Sequence, residues 1–146
     1  MFKKILIPVD VQELSFSEAS LDDAVKYAGT YRAAIHLLTV VPGYGMPIVA
    51  GFFPEDAMKK ARRNARSRLK RFAEIHVPEK IPLTLAVREG RPYEEIVNEA
   101  ERVEADLIVM PSHNRRGLHG VLLGSVADNV VEHAHCSVLV VRNTAD

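Results

Sequence analysis

The chain predicts an α/β fold: an open, doubly wound sheet of five parallel strands with helices on both faces. Three observations carry that expectation. Short apolar runs alternate along the chain with longer segments whose apolar residues recur at helical spacing, which calls for βαβ units. Glycine and proline cluster between these segments, where the chain must turn. Of the 146 residues, 47% are hydrophobic and 26% are charged, a balance suited to one globular domain, here residues 1–146, with a sizeable core.

The elements follow in order. Lys4 to Asp10 (KILIPVD) is a compact apolar run closed by Pro8 and Asp10, as expected of a buried strand. Residues 17 to 31 place Ala19, Leu21, Ala24, Val25 and Ala28 at helical spacing, with Ser17 or Ser15 as the amino-terminal cap. Ala34 to Val41 (AIHLLTVV) is the second strand, ended by Pro42-Gly43, and GYGMPIVAGFF after it is too rich in Gly and Pro for regular structure. A long amphipathic helix over 54 to 77 opens with Pro54-Glu55-Asp56 and carries Ala57, Ala61, Ala65, Leu69, Phe72 and Ala73 on one stripe. Leu83 to Arg88 alternates as a strand should, and the next helix carries a stripe of Tyr93, Ile96, Val97 and Ala100. Asp106 to Met110 is the fourth strand, Gly120 to Ala134 the fourth helix and Ser137 to Val141 the fifth strand.

In doubly wound sheets a ligand sits outside the carboxyl ends of the strands, where the strand order reverses. The loops to search therefore follow strands one, two and four, beginning at Pro8, Val40 and Met110.

Charge and composition narrow the partners. Nineteen basic residues balance nineteen acidic ones, so the chain as a whole has no electrostatic reason to seek a polyanion or an anionic membrane. No apolar stretch approaches the roughly 20 residues of a membrane helix, and the expectation is a soluble, cytoplasmic protein. The single cysteine, Cys136, has no partner in the chain, in keeping with a reducing compartment. Lys59, Lys60, Arg62, Arg63, Arg66, Arg68, Lys70 and Arg71 crowd the second helix. Without interleaved aromatics this run is expected to be a solvated face, which argues against nucleic acid. His133, His135 and Cys136 match no zinc spacing. His113 and His119 lack a serine and carboxylate arranged with them for catalysis.

The segment from Asp106 to Arg142, DLIVMPSHNRRGLHGVLLGSVADNVVEHAHCSVLVVR, resembles the carboxyl-terminal half of the universal stress protein family. That family's nucleotide motif is Gly, two residues, Gly, nine residues, then Gly followed by Ser or Thr. The register puts Pro111 at the first glycine, Asn114 at the second and Gly124-Ser125 at the end, with Arg115 to Leu123 between. The resemblance extends over the whole chain, including a first strand ending in Pro-Val-Asp and a last strand reading Val-Leu-Val-Val-Arg.

The resemblance implies a strand order of 3-2-1-4-5 and an adenine nucleotide, ATP, ADP or AMP, with Mg2+ admitted beside it. The binding positions it implies are Pro8, Val9 and Asp10 after the first strand, Val40 at the end of the second, Met110, Pro111, Ser112, His113, Asn114 and Arg115 after the fourth, and Gly124, Ser125 and Val126 at the fourth helix. Gly124 would let phosphate approach the backbone, and Ser125 would add a hydroxyl donor. Asn114 tolerates a left-handed backbone and keeps its amide donor. Proline has none, so any bond donated by the family's first glycine is expected to be lost at Pro111. Asp10 reads equally as a ligand contact or as a carboxylate fixing its own loop. Arg115 and Arg116 read as a phosphate clamp or as exposed side chains.

The resemblance further implies a homodimer paired through Ser137 to Val141, since this edge strand has no lysine, proline or bulge to blunt it. A stress-response regulator acting through nucleotide occupancy and dimerisation is the expected function. A nucleotide-free interaction module of the same fold, or a slow ATP hydrolase, remain open alternatives. No catalytic residue is evident for the latter.

Overall fold

Nine elements alternate strictly in a computed structural model that describes residues 2–41, 55–112 and 124–142: β1 (Lys4–Pro8), α1 (Leu14–Tyr31), β2 (Ala34–Val41), α2 (Glu55–His76), β3 (Leu83–Glu89), α3 (Pro92–Arg102), β4 (Leu107–Ser112), α4 (Ser125–His133) and β5 (Ser137–Arg142). The strands form one parallel sheet in the order β3-β2-β1-β4-β5, the doubly wound arrangement that alternating strands and helices predict. The loop 43–53 and residues 143–146 lie outside the described residues.

Apolar residues of successive parity fill the two faces, because strand side chains alternate. Ile5, Ile7, Ile35, Leu37 and Val109 pack with Leu21 and Ala24 of α1 and Leu69 and Phe72 of α2. Leu6, Leu38, Ile108 and Met110 pack with Ile96 and Ala100 of α3 and Ala127 and Val130 of α4. The near-continuous apolar runs of β1 and β4 are the mark of strands covered on both faces.

Several boundaries differ from the sequence expectation. β1 ends at Pro8 and β4 runs on through Pro111 and Ser112. α1 begins at Leu14 and is not capped by Ser15 or Ser17; Ser17 is buried within the helix, its carbonyl accepting the Ser20 hydroxyl at 3.0 Å. The turn before it explains the early start. Asp10 Oδ1 accepts the Gln12 N–H at 2.9 Å and the Asp10 carbonyl accepts the Glu13 N–H at 3.0 Å, winding the chain before the serines are reached. Ala19 is exposed, outside the buried stripe of α1. In α2 Ala61 is exposed and Met58 takes its place in the core beside Ala65, Leu69, Phe72 and Ala73. Large side chains bury more area than alanines, so they set the helix phase.

Candidate functional site

The site follows from backbone parity. In a strand the N–H and C=O of successive residues face opposite neighbours. The Asp106 N–H donates to the Lys4 carbonyl at 3.0 Å, so the even residues of β1 and β4 face each other. The Val9 N–H donates to the Leu38 carbonyl at 2.8 Å, so the odd residues of β1 face β2.

Registered pairing between β1 and β4 stops after Ile5↔Leu107 and Leu6↔Ile108. β1 stays with β2 as far as Pro8↔Leu38, while β4 stays with β5 as far as Ser112↔Arg142. Pro8 is the next residue of β1 turned toward β4, and its bond would go to the Ile108 carbonyl. It has no hydrogen to donate, and the ladder ends there. At the opposite end the Asp106 carboxylate accepts the Lys3 N–H at 2.8 Å and the Lys4 N–H at 3.1 Å. The seam is thus pinned at its amino end and unpaired at its carboxyl end, at the point where strand order reverses.

The expected site residues divide around this seam. Pro8 turns its carbonyl and Met110 its N–H toward the opening, by the parity above. Val40 has the parity of Leu38, so its backbone faces β1 beyond Val9. The side chains of Val9 and Met110 are buried in opposite faces of the core, which leaves their backbones as the groups available to a ligand. Pro111 has odd parity, so its nitrogen faces β5, where it pairs with Val141. The proline therefore forfeits a bond to β5, which corrects the expectation that it removes a donor from a ligand. Ser112 is paired with Arg142 at the strand end. His113, Asn114, Arg115, Arg116 and His119 lie outside the described residues.

α4 returns antiparallel to the strands, so its first turn stands at their carboxyl ends. Gly124 is its buried N-cap, at φ −62 and ψ 156, and among the described residues no side chain caps the turn. That backbone is one any residue adopts, so the lack of a side chain matters for approach to the helix rather than for conformation. The amides of Ser125 and Val126 are among those a helix start leaves without an intrahelical partner. With the positive end of the helix dipole they form a place for an anion; Ser125 is exposed beside them and Val126 is half-buried. Asp10 fixes its own turn through Oδ1, as described above, and is exposed at the same end of the sheet.

Away from the seam the structure holds a buried charge that sequence periodicity missed. Glu99, on the inner face of α3, is fully buried. Its Oε2 accepts from His36 Nε2 at 2.7 Å, and its Oε1 accepts from Arg88 Nε at 3.0 Å and from Arg102. His36 Nδ1 lies 2.5 Å from Thr84 Oγ1. Burial pushes the carboxyl pKa up, but bonds from Arg88, His36 and Arg102 outweigh it and hold the group below its ordinary value. The signal available in sequence was His36 inside the apolar run AIHLLTVV, since a polar residue there needs a partner.

Cys136 is half-buried, and burial reinforced by the charge of Asp106 raises its pKa, which disfavours the reactive thiolate. Among the described residues no three His, Cys, Asp or Glu side chains gather as metal ligands, and no helix is long and apolar enough to cross a membrane. His133 Nδ1 bonds to the Asn129 carbonyl at 2.8 Å, and His135 pairs with Glu101 at 3.1 Å.

The family model for the universal stress protein family matches residues 1–142. Universal stress protein MJ0531 of Methanocaldococcus jannaschii is 36% identical over 146 residues, an alignment covering 97% of this chain and 83% of that one. The solved structure of hypothetical protein MJ0577 superposes with a TM-score of 0.82 at 28% identity, covering 100% and 99% of the two chains. A universal stress protein from Archaeoglobus fulgidus, solved in complex with dAMP, has a TM-score of 0.64 at 20% identity, with 94% and 96% covered. With the same sheet order and a match that runs nearly end to end, the chain belongs to the universal stress protein family.

Proposed function

We propose that this protein binds an adenine nucleotide across the open end of the β1–β4 seam and acts as a regulator whose state depends on that occupancy. The observation that carries the reading is the seam itself. Two strands part at the switch point, leave backbone donors and acceptors facing the gap, and stand beside an uncapped helix start at Gly124. The base lies against the end of β2, where the Val40 backbone offers a donor and an acceptor to a purine edge, with Asp10 near by. The phosphates lie at Gly124-Ser125, where amides and a hydroxyl meet anionic oxygens. The relative solved with dAMP supports an adenine ligand in this fold. ATP, with Mg2+ on its phosphates, and AMP are the two ends of the range to be tested.

Gly124→Val tests the reading. A branched side chain fills the space the phosphate needs, while the extended backbone of position 124 accepts it. Isothermal titration with AMP and with Mg·ATP is expected to show wild-type binding to at least one of them and a loss of tenfold or more in the variant. Equal affinities of the two proteins overturn the assignment of this turn. Absence of wild-type binding, with no nucleotide released on denaturing the purified protein, favours the nucleotide-free interaction module.

We also propose a homodimer paired through β5. Among the described residues it is an edge strand, paired in the sheet with β4, and its half-buried side chains from Val138 to Val141 meet their symmetry mates across a two-fold axis. Light scattering at micromolar concentration is expected to give twice the chain mass, and Leu139→Pro, which removes a strand donor, to give monomer or unfolded chain. A wild-type monomer ends this part of the reading.

A further inference from the structure

Eight cations and no acidic residue lie within the thirteen residues Lys59 to Arg71 of α2, although the whole chain is neutral. Every like-charge pair three or four residues apart on a helix costs about 0.2–0.5 kcal/mol, and here such pairs recur, as in Lys59 with Arg63, Arg62 with Arg66, and Arg66 with Lys70. Among the described residues only Arg62 has an ion-pair partner, Glu89 of β3. The rest of the cations are exposed. Concentrated, unmatched charge of this kind costs stability and is useful where an anion meets it.

The geometry is ordered. Lys59, Arg63, Arg66 and Lys70 are spaced by four, three and four residues, so they form one line along the helix, about 16 Å long at 1.5 Å per residue. Beside the line runs an open depression lined by Ala57, Ala61, Asn64 and Ser67, with Lys60 and Arg63 also lining it. Small side chains leave the backbone cylinder accessible there, and basic ones border it.

We infer that this face of α2 docks on the phosphate backbone of duplex nucleic acid. One strand of a duplex presents a phosphate about every 3.4 Å along its axis, so the basic line runs beside roughly five of them. An anionic membrane fits less well, because Met58, Leu69 and Phe72 of α2 are committed to the core and Ile75, exposed beyond the carboxyl end of the basic run, is a single apolar side chain, too little to anchor an inserted face. An acidic protein partner fits less well too, since among the described residues of α2 the one large apolar side chain left exposed is Ile75, past the end of the basic run, and no aromatic anchor accompanies it. Without aromatics to stack on bases the contact reads charge and not sequence. The missing aromatics thus limit specificity, not backbone binding, and this reverses the expectation of a merely solvated face.

Fluorescence polarisation of a labelled 20-base-pair duplex with the full chain tests the inference. Four phosphate contacts predict a slope of about −3.6 in log affinity against log salt, or about a hundredfold weakening from 50 to 200 mM. The variant K59E/R63E/R66E/K70E is expected to lose binding with its circular dichroism unchanged. Lys26→Glu with Lys80→Glu, exposed cations outside α2, is expected to retain it within about threefold. No wild-type binding at 50 mM salt, a slope shallower than −1, an equal loss in the Lys26/Lys80 control, or binding to phosphatidylserine vesicles without binding to the duplex overturns the proposal. If the fourfold variant does not fold, the wild-type slope and the control decide.

Discussion

Helices α2 and α3 lie on opposite faces of the sheet and treat charge in opposite ways. α3 turns one carboxylate inward and surrounds it: Glu99 meets His36, Arg88 and Arg102, so a fully buried charge is matched by hydrogen-bond donors from two strands and from its own helix, two of them guanidinium groups. α2 turns its cations outward and leaves all but Arg62 without a partner among the described residues. Matched charge costs much to disturb, because desolvation has already been incurred and only the partners offset it. Unmatched exposed charge contributes little to folding and remains available for association. Charge therefore has a structural use in one helix and a surface use in the other.

The sharpest way to break the contrast is to remove Glu99. Glu99→Ala strands a buried imidazole, opens a cavity and frees two half-exposed guanidinium groups that solvent still reaches, and is expected to cost about 2–3 kcal/mol by chemical denaturation; a loss under 1 kcal/mol would mean that the network is not holding α3 down. The same carboxylate gives a pH signature. Its folded-state pKa lies below the unfolded one, so its contribution is complete above the ordinary carboxylate range and is lost as pH falls through the lowered value. Wild-type stability should consequently decline more between pH 5 and pH 3 than that of Glu99→Gln, which has no such group to protonate. Parallel declines would deny Glu99 its role.

On α2 the effect should be small and of opposite sign. Arg66→Glu replaces three repulsions with attractions to Arg62, Arg63 and Lys70, so a stabilisation of about 1–2 kcal/mol is expected at low salt, shrinking as salt screens the pairs. A destabilisation that persists at high salt would show that Arg66 has a partner inside the fold.

The alternating elements were legible because buried strands and amphipathic helices differ in period and length. The parts that were not legible depend on contacts distant in sequence. Glu99 reads locally as a polar helix position, and only the fold brings His36 and Arg88 to it. Ala61 and Met58 are both apolar, and the core chose the larger. The motif register singled out Gly124, which the structure makes the N-cap of α4, and the end of β4, yet the direction of the Pro111 nitrogen, toward β5, needed strand parity to read. The Ser15 and Ser17 caps failed for a similar reason, since the turn at Asp10 had already started the helix.

Pro8 has a mechanical consequence. By ending one ladder it divides the sheet into two plates, β3-β2-β1 and β4-β5, joined near their amino ends by two registered pairs and the Asp106 carboxylate, with α1 packed against strands of both. Such a sheet resembles a book held at the lower spine. A molecule that bonded to both covers at the upper edge would stiffen the volume without requiring a new fold. A single missing amide hydrogen is enough to create the lever.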